Sequence, residues 1–441
     1  MLLIEPTAAD PVFFHFPYGI YVVNVDVGAT IPDSDKEILR GLAHRVAAVA
    51  AKPVQDEKRA LWTAHNDLKT KQPVILCDSE GGWNEIIPAS EIRCQSPIGR
   101  VWEMRLRMEA YWGEEMGDDK VVDDVFFVPY AHTTNCWGMP YQTEGDAGKG
   151  EAIHYKTILE DYERDLPKLR MPEVTLYREK TERLLSLAHD VFDGILRVEL
   201  RGTWWWSFGF TGDIIKIRGL DNLLYDFYDY PDELHRLMQF WSDGAMSYLD
   251  WLVDNELLST NVGNVYIGSG GFGFTDELPA KPDPEHRRAQ PMEMWGFSES
   301  QETVGVSEEF FEEFILRYQM PLLQRFGLNY YGCCEPLDQR MDAILKIPRL
   351  RRLSCSAWAD LGKMSEKLGD RYVMAVKPNP ATIARPAFDK ELIRKNIGDI
   401  LESTRGSVVE LIMKDNHTLG GRPDNARDWC STVREVVESF A

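Results

Sequence analysis

GLNYYGC (327–333), LRRLSCSAW (350–358), RYVMAVKPNP (371–380) and VVELIMKDNH (408–417) are four short apolar runs in the last third of the chain. Helical stretches separate them, and they recur at intervals of roughly 20–35 residues, the spacing of repeated βα units. Strands of a parallel sheet are covered on both faces and read as near-continuous apolar runs, as these do. Units of this length favour an α/β fold of the closed (β/α)8 TIM-barrel type, whose ring takes about 250 residues. A doubly wound open sheet is the alternative. The 441 residues then divide into an N-terminal extension over 1–70 and a barrel with long βα loops over 71–441.

Working outward from these runs, PVILCDS (73–79), a run within 121–135, GILRVELRG (194–202) and one within 258–268 read as further strands. Helices are expected over 33–51, 100–115, 177–192, 221–228 and 231–255, and from Ser307 onward, where a capping pattern precedes Phe310, Phe311 and Phe314. Asp33 or Ser34 is the expected cap of the first of these. The segments 138–151 and 276–301 read as a mobile loop and a polar, Pro-rich excursion.

Composition is that of a globular protein: 44% hydrophobic and 27% charged residues. The net charge of −22 disfavours nucleic acid and anionic membranes, which need a phosphate-neutralising surface. No run approaches the length of a transmembrane helix. The beginning, MLLIEPTAADPVFFHF, lacks a basic leader, and seven cysteines are an odd number, so a cytoplasmic protein with reduced thiols is expected.

Barrel enzymes carry their chemistry at the C-terminal ends of the strands. Here those ends offer Cys333, Cys334 and Glu335 in one place and Asp415 and His417 in another. Thiolate, carboxylate and imidazole are the donors of a catalytic zinc site, which takes three protein ligands and leaves one position open. Cys333, Cys334, Glu335 and His417 are therefore the candidate metal ligands, with Glu335 and Asp415 as catalytic carboxylates. Trp204, Trp205 and Trp206 cannot all face a core, because strand side chains alternate. With Tyr266, Asn264 and Lys377 they are the candidate substrate-binding residues, and indole faces suit a planar or methylated ligand. GSGGFGF (268–274) lacks a P-loop lysine. It reads as a lid or a place of tight backbone approach rather than a phosphate cradle.

EEFFEEFILRYQMPLLQRFGLNYYGCCEPLDQRMDAIL (308–345), SCSAW (354–358) and AVKPNP (375–380) together resemble the uroporphyrinogen decarboxylase superfamily. RGLDNLLYDFYDYPDELHRLMQFWSDG (218–244) is similar to that superfamily's middle helices. The resemblance spans roughly residues 120–441 and implies the same barrel. The arginine-rich signature of the true decarboxylases is missing, which turns the resemblance toward the zinc-dependent methyltransferases that serve corrinoid proteins. It implies methyl transfer between a small organic molecule, a methoxyarene or another O-, N- or S-methyl compound, and a separate corrinoid protein, with zinc as Lewis acid. In the His-x-Cys pattern of some of those enzymes, Cys334 takes the Cys position and Gly332 falls where the His stands. A metal-free decarboxylase or lyase, in which Arg201 and Lys377 hold a carboxylate, is the alternative. A non-catalytic tetrapyrrole- or corrinoid-binding protein is a third reading. A homo-oligomer is left open.

Overall fold

The computed structural model describes residues 12–16, 19–23, 28–145, 154–282 and 288–440. Part of the 138–151 loop lies outside the described residues.

Eight strands lie in two parallel sheets, one of six strands and one of two. They are β1 (Val74–Cys77), β2 (Val125–Val128), β3 (Arg197–Leu200), β4 (Trp295–Ser298), β5 (Leu328–Tyr331), β6 (Leu350–Cys355), β7 (Val373–Val376) and β8 (Val408–Met413). Six of them make one sheet in the order β4-β5-β6-β7-β8-β1, and β2 pairs with β3 separately. Among the described residues no backbone pairing joins the two sheets, so the closed ring expected from the sequence is not formed by hydrogen-bonded strands. Side chains cover the exposed edges there. Asp119 and Asp118 carboxylates accept from the Ile75 and Cys77 amides at 2.8 and 2.9 Å. Asn261 bonds both the amide and the carbonyl of Trp295, at 2.9 and 2.8 Å. An unpaired strand edge would leave backbone groups without partners, and these side chains supply them.

The structure differs from the sequence reading in two places. The 258–268 run is no strand; apart from a bridge between Tyr266 and Phe272 it is irregular. The strand at this point of the order is instead WGFS, β4, inside the supposed polar excursion. Its four residues are all buried, yet the flanking Pro and charged residues hide so short a run. The helix at Asp33–Ala50 is preceded by Pro32 and has no side-chain cap. Asp35 is buried instead and accepts from the Gln95 and Ser96 amides and the Ser96 hydroxyl.

Alternation along the strands separates two cores. Val74 and Leu76, Trp295 and Phe297, and Leu328 and Tyr330 cluster with Trp62, Phe272 and Phe274 inside the sheet. Ile75, Leu353, Met374, Val409 and Leu411 belong to the larger core under the helices. The GSGGFGF loop therefore packs into the smaller of these cores through Phe272 and Phe274. Gly270 and Gly271 have φ of 134° and 89°, and a Cβ on Gly271 would stand 2.9 Å from Arg352 Cζ. Only glycine allows the backbone this close. The tight-approach reading of the loop is the one the structure shows.

Candidate active site

Strand register levels the rim. Ser298 pairs with Tyr331, Cys355 with Val376, and Met413 with Cys77. The residues that follow, Glu299, Cys333, Lys377, Lys414 and Asp78, consequently share the C-terminal edge of the sheet.

Cys333 is at its centre and is 4% exposed. Its sulfur lies 3.4 Å from that of Cys334 and 3.2 Å from Ser269 Oγ. The Lys377 ammonium donates to the Cys333 carbonyl at 2.9 Å, to Ser354 Oγ at 2.8 Å, and to Ser269 Oγ. A hydrogen bond from the Cys334 thiol, then the charges of Lys377 and Lys414 and the Ser269 hydroxyl, outweigh burial and bring Cys333 down to about 6. The same bond, with burial, raises Cys334. Lys377 is lowered by burial. Burial also opposes the charge of Lys414, but Tyr266, Glu80, Asp415 and Cys333 around it raise it well above the usual value.

The carboxylates continue the network. Lys414 Nζ is 3.2 Å from Glu80 and 3.7 Å from Asp415, and Cys334 Sγ is 3.8 Å from Asp415 Oδ2. Glu80 and Asp415 both hold left-handed backbone, at φ of 41° and 61°. Strained backbone of this kind collects at functional sites. Asp78 is fully buried, and burial first, then the charge of Glu80, pushes it up to about 8, so it holds a proton at neutral pH. Burial, with Glu302 and Glu335 nearby, raises Glu299 well above the carboxylate range. Asp78, Glu299 and Lys414 were not among the site residues expected from the sequence. Asp78 and Lys414 directly follow the strand ends Cys77 and Met413, a position that could have suggested them; Glu299 followed a strand that was not recognised.

The expected site residues divide. Cys333, Cys334, Asp415 and Lys377 come together. Glu335 does not join them: its two oxygens accept from the Ser300 and Cys333 amides at 2.9 and 2.8 Å, so it braces the turn. His417 is exposed, beyond the end of β8. The set Cys333, Cys334, Glu335 and His417 therefore does not assemble as four donors. Among the described residues no group of three or more His, Cys, Asp or Glu side chains is placed to hold a metal ion. Arg201 pairs with Glu199 at 3.1 Å. Asn264 bonds the Val121 carbonyl, and Tyr266 stacks edge-on with Phe272.

The mouth is a hollow of about 350 Å³ lined by Gln301, Glu302, Val304, Cys334, Pro336 and Trp358, the last 73% exposed. Trp204, Trp205 and Trp206 line a second cavity of about 320 Å³. Trp204 is buried, with its indole N–H on the Leu257 carbonyl at 3.0 Å. Trp206 is 48% exposed and bonds the Gly268 carbonyl at 2.9 Å. No described helix is long and apolar enough to cross a membrane.

No family model matches the sequence, and no curated protein matches it. Among solved structures, the chain is similar to a methyltransferase from Methanosarcina mazei, at a TM-score of 0.48 and 12% identity, over 86% of this chain and 97% of that one. A likeness this distant does not fix a function.

Proposed function

We propose that this protein is a methyltransferase that moves a methyl group between a small methylated organic molecule and an acceptor carried by a separate corrinoid protein. The fold underneath is a (β/α)8 barrel whose ring is bridged by Asp118, Asp119 and Asn261 where backbone pairing lapses. One observation carries the reading: the Cys333 sulfur sits against Cys334 and Ser269 at the strand-end rim beside an open mouth, where Lys377 and Lys414 favour its thiolate. A soft anionic centre so placed suits alkyl transfer better than hydride or phosphoryl chemistry. The sequence resemblance supplies the methyl group and the corrinoid partner.

Transfer of a methyl group from an oxygen or nitrogen leaves an electron pair on that atom. Protonated Asp78 is a rim acid able to supply a proton to it, and its value near 8 suits a general acid. Lys414 and Lys377 hold negative charge on the sulfur. The zinc that the resemblance implies would act as a Lewis acid and would find two sulfur donors here, Cys333 and Cys334, with the Asp415 carboxylate 3.8 Å from Cys334 Sγ. The described residues fall short of a three-ligand site, so no step is routed through a metal.

The test uses free cob(I)alamin with O-, N- and S-methyl donors. Formation of methylcobalamin that Cys333→Ser abolishes is expected, with zinc content measured on the same samples. Failure with every donor class, together with release of carbon dioxide from a carboxylated substrate, would replace this reading with the lyase.

A further inference from the structure

Five indoles, Trp137, Trp204, Trp205, Trp206 and Trp241, line the 320 Å³ cavity beside the rim, with Phe208, Tyr248, Asp213 and Lys216. This is the size of a small-ligand site. The Gly268–Ser269 peptide connects it to the thiol: Trp206 bonds the Gly268 carbonyl, and Ser269 Oγ donates to Cys333 Sγ.

Trp137 and Trp241 stack on each other at 25°, with centroids 4.6 Å apart, and Trp205 is tilted 33° to Phe208. Indole is the best aromatic face for a cation, and the chain's charge of −22 attracts one. Trp241 is 1% exposed, and its indole N–H has no hydrogen-bond partner in the described structure. A buried donor without an acceptor is costly unless a ligand provides one. Lys216 stands at the same cavity, paired to Asp213 at 2.9 Å, so the pair adds no net charge and offers a second place for a ligand anion.

We infer that this cavity binds a small trimethylammonium compound bearing a carboxylate, its methyl groups among the indoles and its oxygens toward the Trp241 N–H and Lys216. The assignment deepens the methyl-transfer reading by naming an N-methyl donor, and it rests on that reading for its purpose though not for its test.

Titration calorimetry on the full chain compares N,N,N-trimethylglycine with 3,3-dimethylbutanoate, which replaces the charged nitrogen by carbon and keeps shape and carboxylate. About tenfold tighter binding of the ammonium compound is expected, within the range of a partly desolvated cation–π contact. Trp206→Leu should remove most of that difference, with Trp205→Leu as a second variant should the first disturb the Gly268 turn. Equal binding of the two probes, or no heat from trimethylglycine, overturns the inference. Selective binding without methyl transfer leaves it standing and removes the function proposed above. Methyl transfer from another donor, with no trimethylglycine binding, removes this inference alone.

Discussion

Cys333 shows how far a residue's chemistry depends on what surrounds it. A free thiol loses its proton near pH 8.5. Here the first proton of the Cys333–Cys334 pair leaves near 6, because Cys334 donates to the sulfur and Lys377 and Lys414 face it. The thiolate is thus present above about pH 6 and is lost as pH falls through that value. Alkylation by iodoacetamide, followed by mass spectrometry of the Cys333 peptide, should rise with a midpoint near 6. Cys334→Ala should move the midpoint upward, since the leading cause of the shift is removed. A midpoint in the ordinary thiol range in the unaltered protein would contradict the geometry. The sequence displayed the two cysteines together and their strand end, but not which sulfur would be buried. Nor could it show Glu335 turning back onto the Ser300 and Cys333 amides, because that depends on where β4 ends.

Among the elements, the 268–274 loop decides most. Its glycines were legible, and so was a close backbone approach. Their partner was not, since Arg352 and Glu410 are 81 and more residues downstream. A Cβ at Gly271 would meet Arg352 Cζ at 2.9 Å and Glu410 Oε1 at 3.0 Å, in backbone with φ of 89°. Gly271→Ala should cost about 1–3 kcal/mol in urea unfolding, the usual range for a non-glycine residue in strained backbone. It should also raise the Cys333 alkylation midpoint, because Ser269 moves with the loop. An unchanged unfolding midpoint would show that the loop is not seated as described. Strand β4 illustrates the opposite failure of legibility. WGFS is too short for a periodicity to emerge, and its strand character comes from pairing with Leu328–Tyr331.

At the scale of the whole molecule, the enclosed space holds a buried ion pair that joins distant parts of the chain. Arg352 Nε lies 3.1 Å from Glu410, and both are fully buried. His65 Nε2 is 3.4 Å from the other Glu410 oxygen. Asn66 accepts from Arg352 and donates to the Phe272 and Phe274 carbonyls. The helix Val54–Asn66 of the N-terminal region is thereby tied to the loop and to β6 and β8. Removing one ion leaves the other buried and unpaired, which costs about 3–5 kcal/mol. Arg352→Met should lose stability of that order in urea unfolding, and adding Glu410→Leu should recover much of it. A single replacement that is neutral would show that water, not the ion pair, compensates these groups.

The sequence by itself determined the parallel α/β class, seven of the eight strands in outline apart from one misplaced run, and the rim on which Cys333, Cys334, Asp415 and Lys377 meet. Those follow from local chemistry: apolar runs of strand length, their spacing, and the residues at their ends. Only the tertiary structure decided that side chains cover the sheet edges, that the glycine loop packs against Arg352 and Glu410, that Glu335 and His417 stand apart from the thiols, and that five indoles share one cavity. Each of these depends on contacts between segments far apart in the chain, and no local pattern records which distant partner a side chain will find.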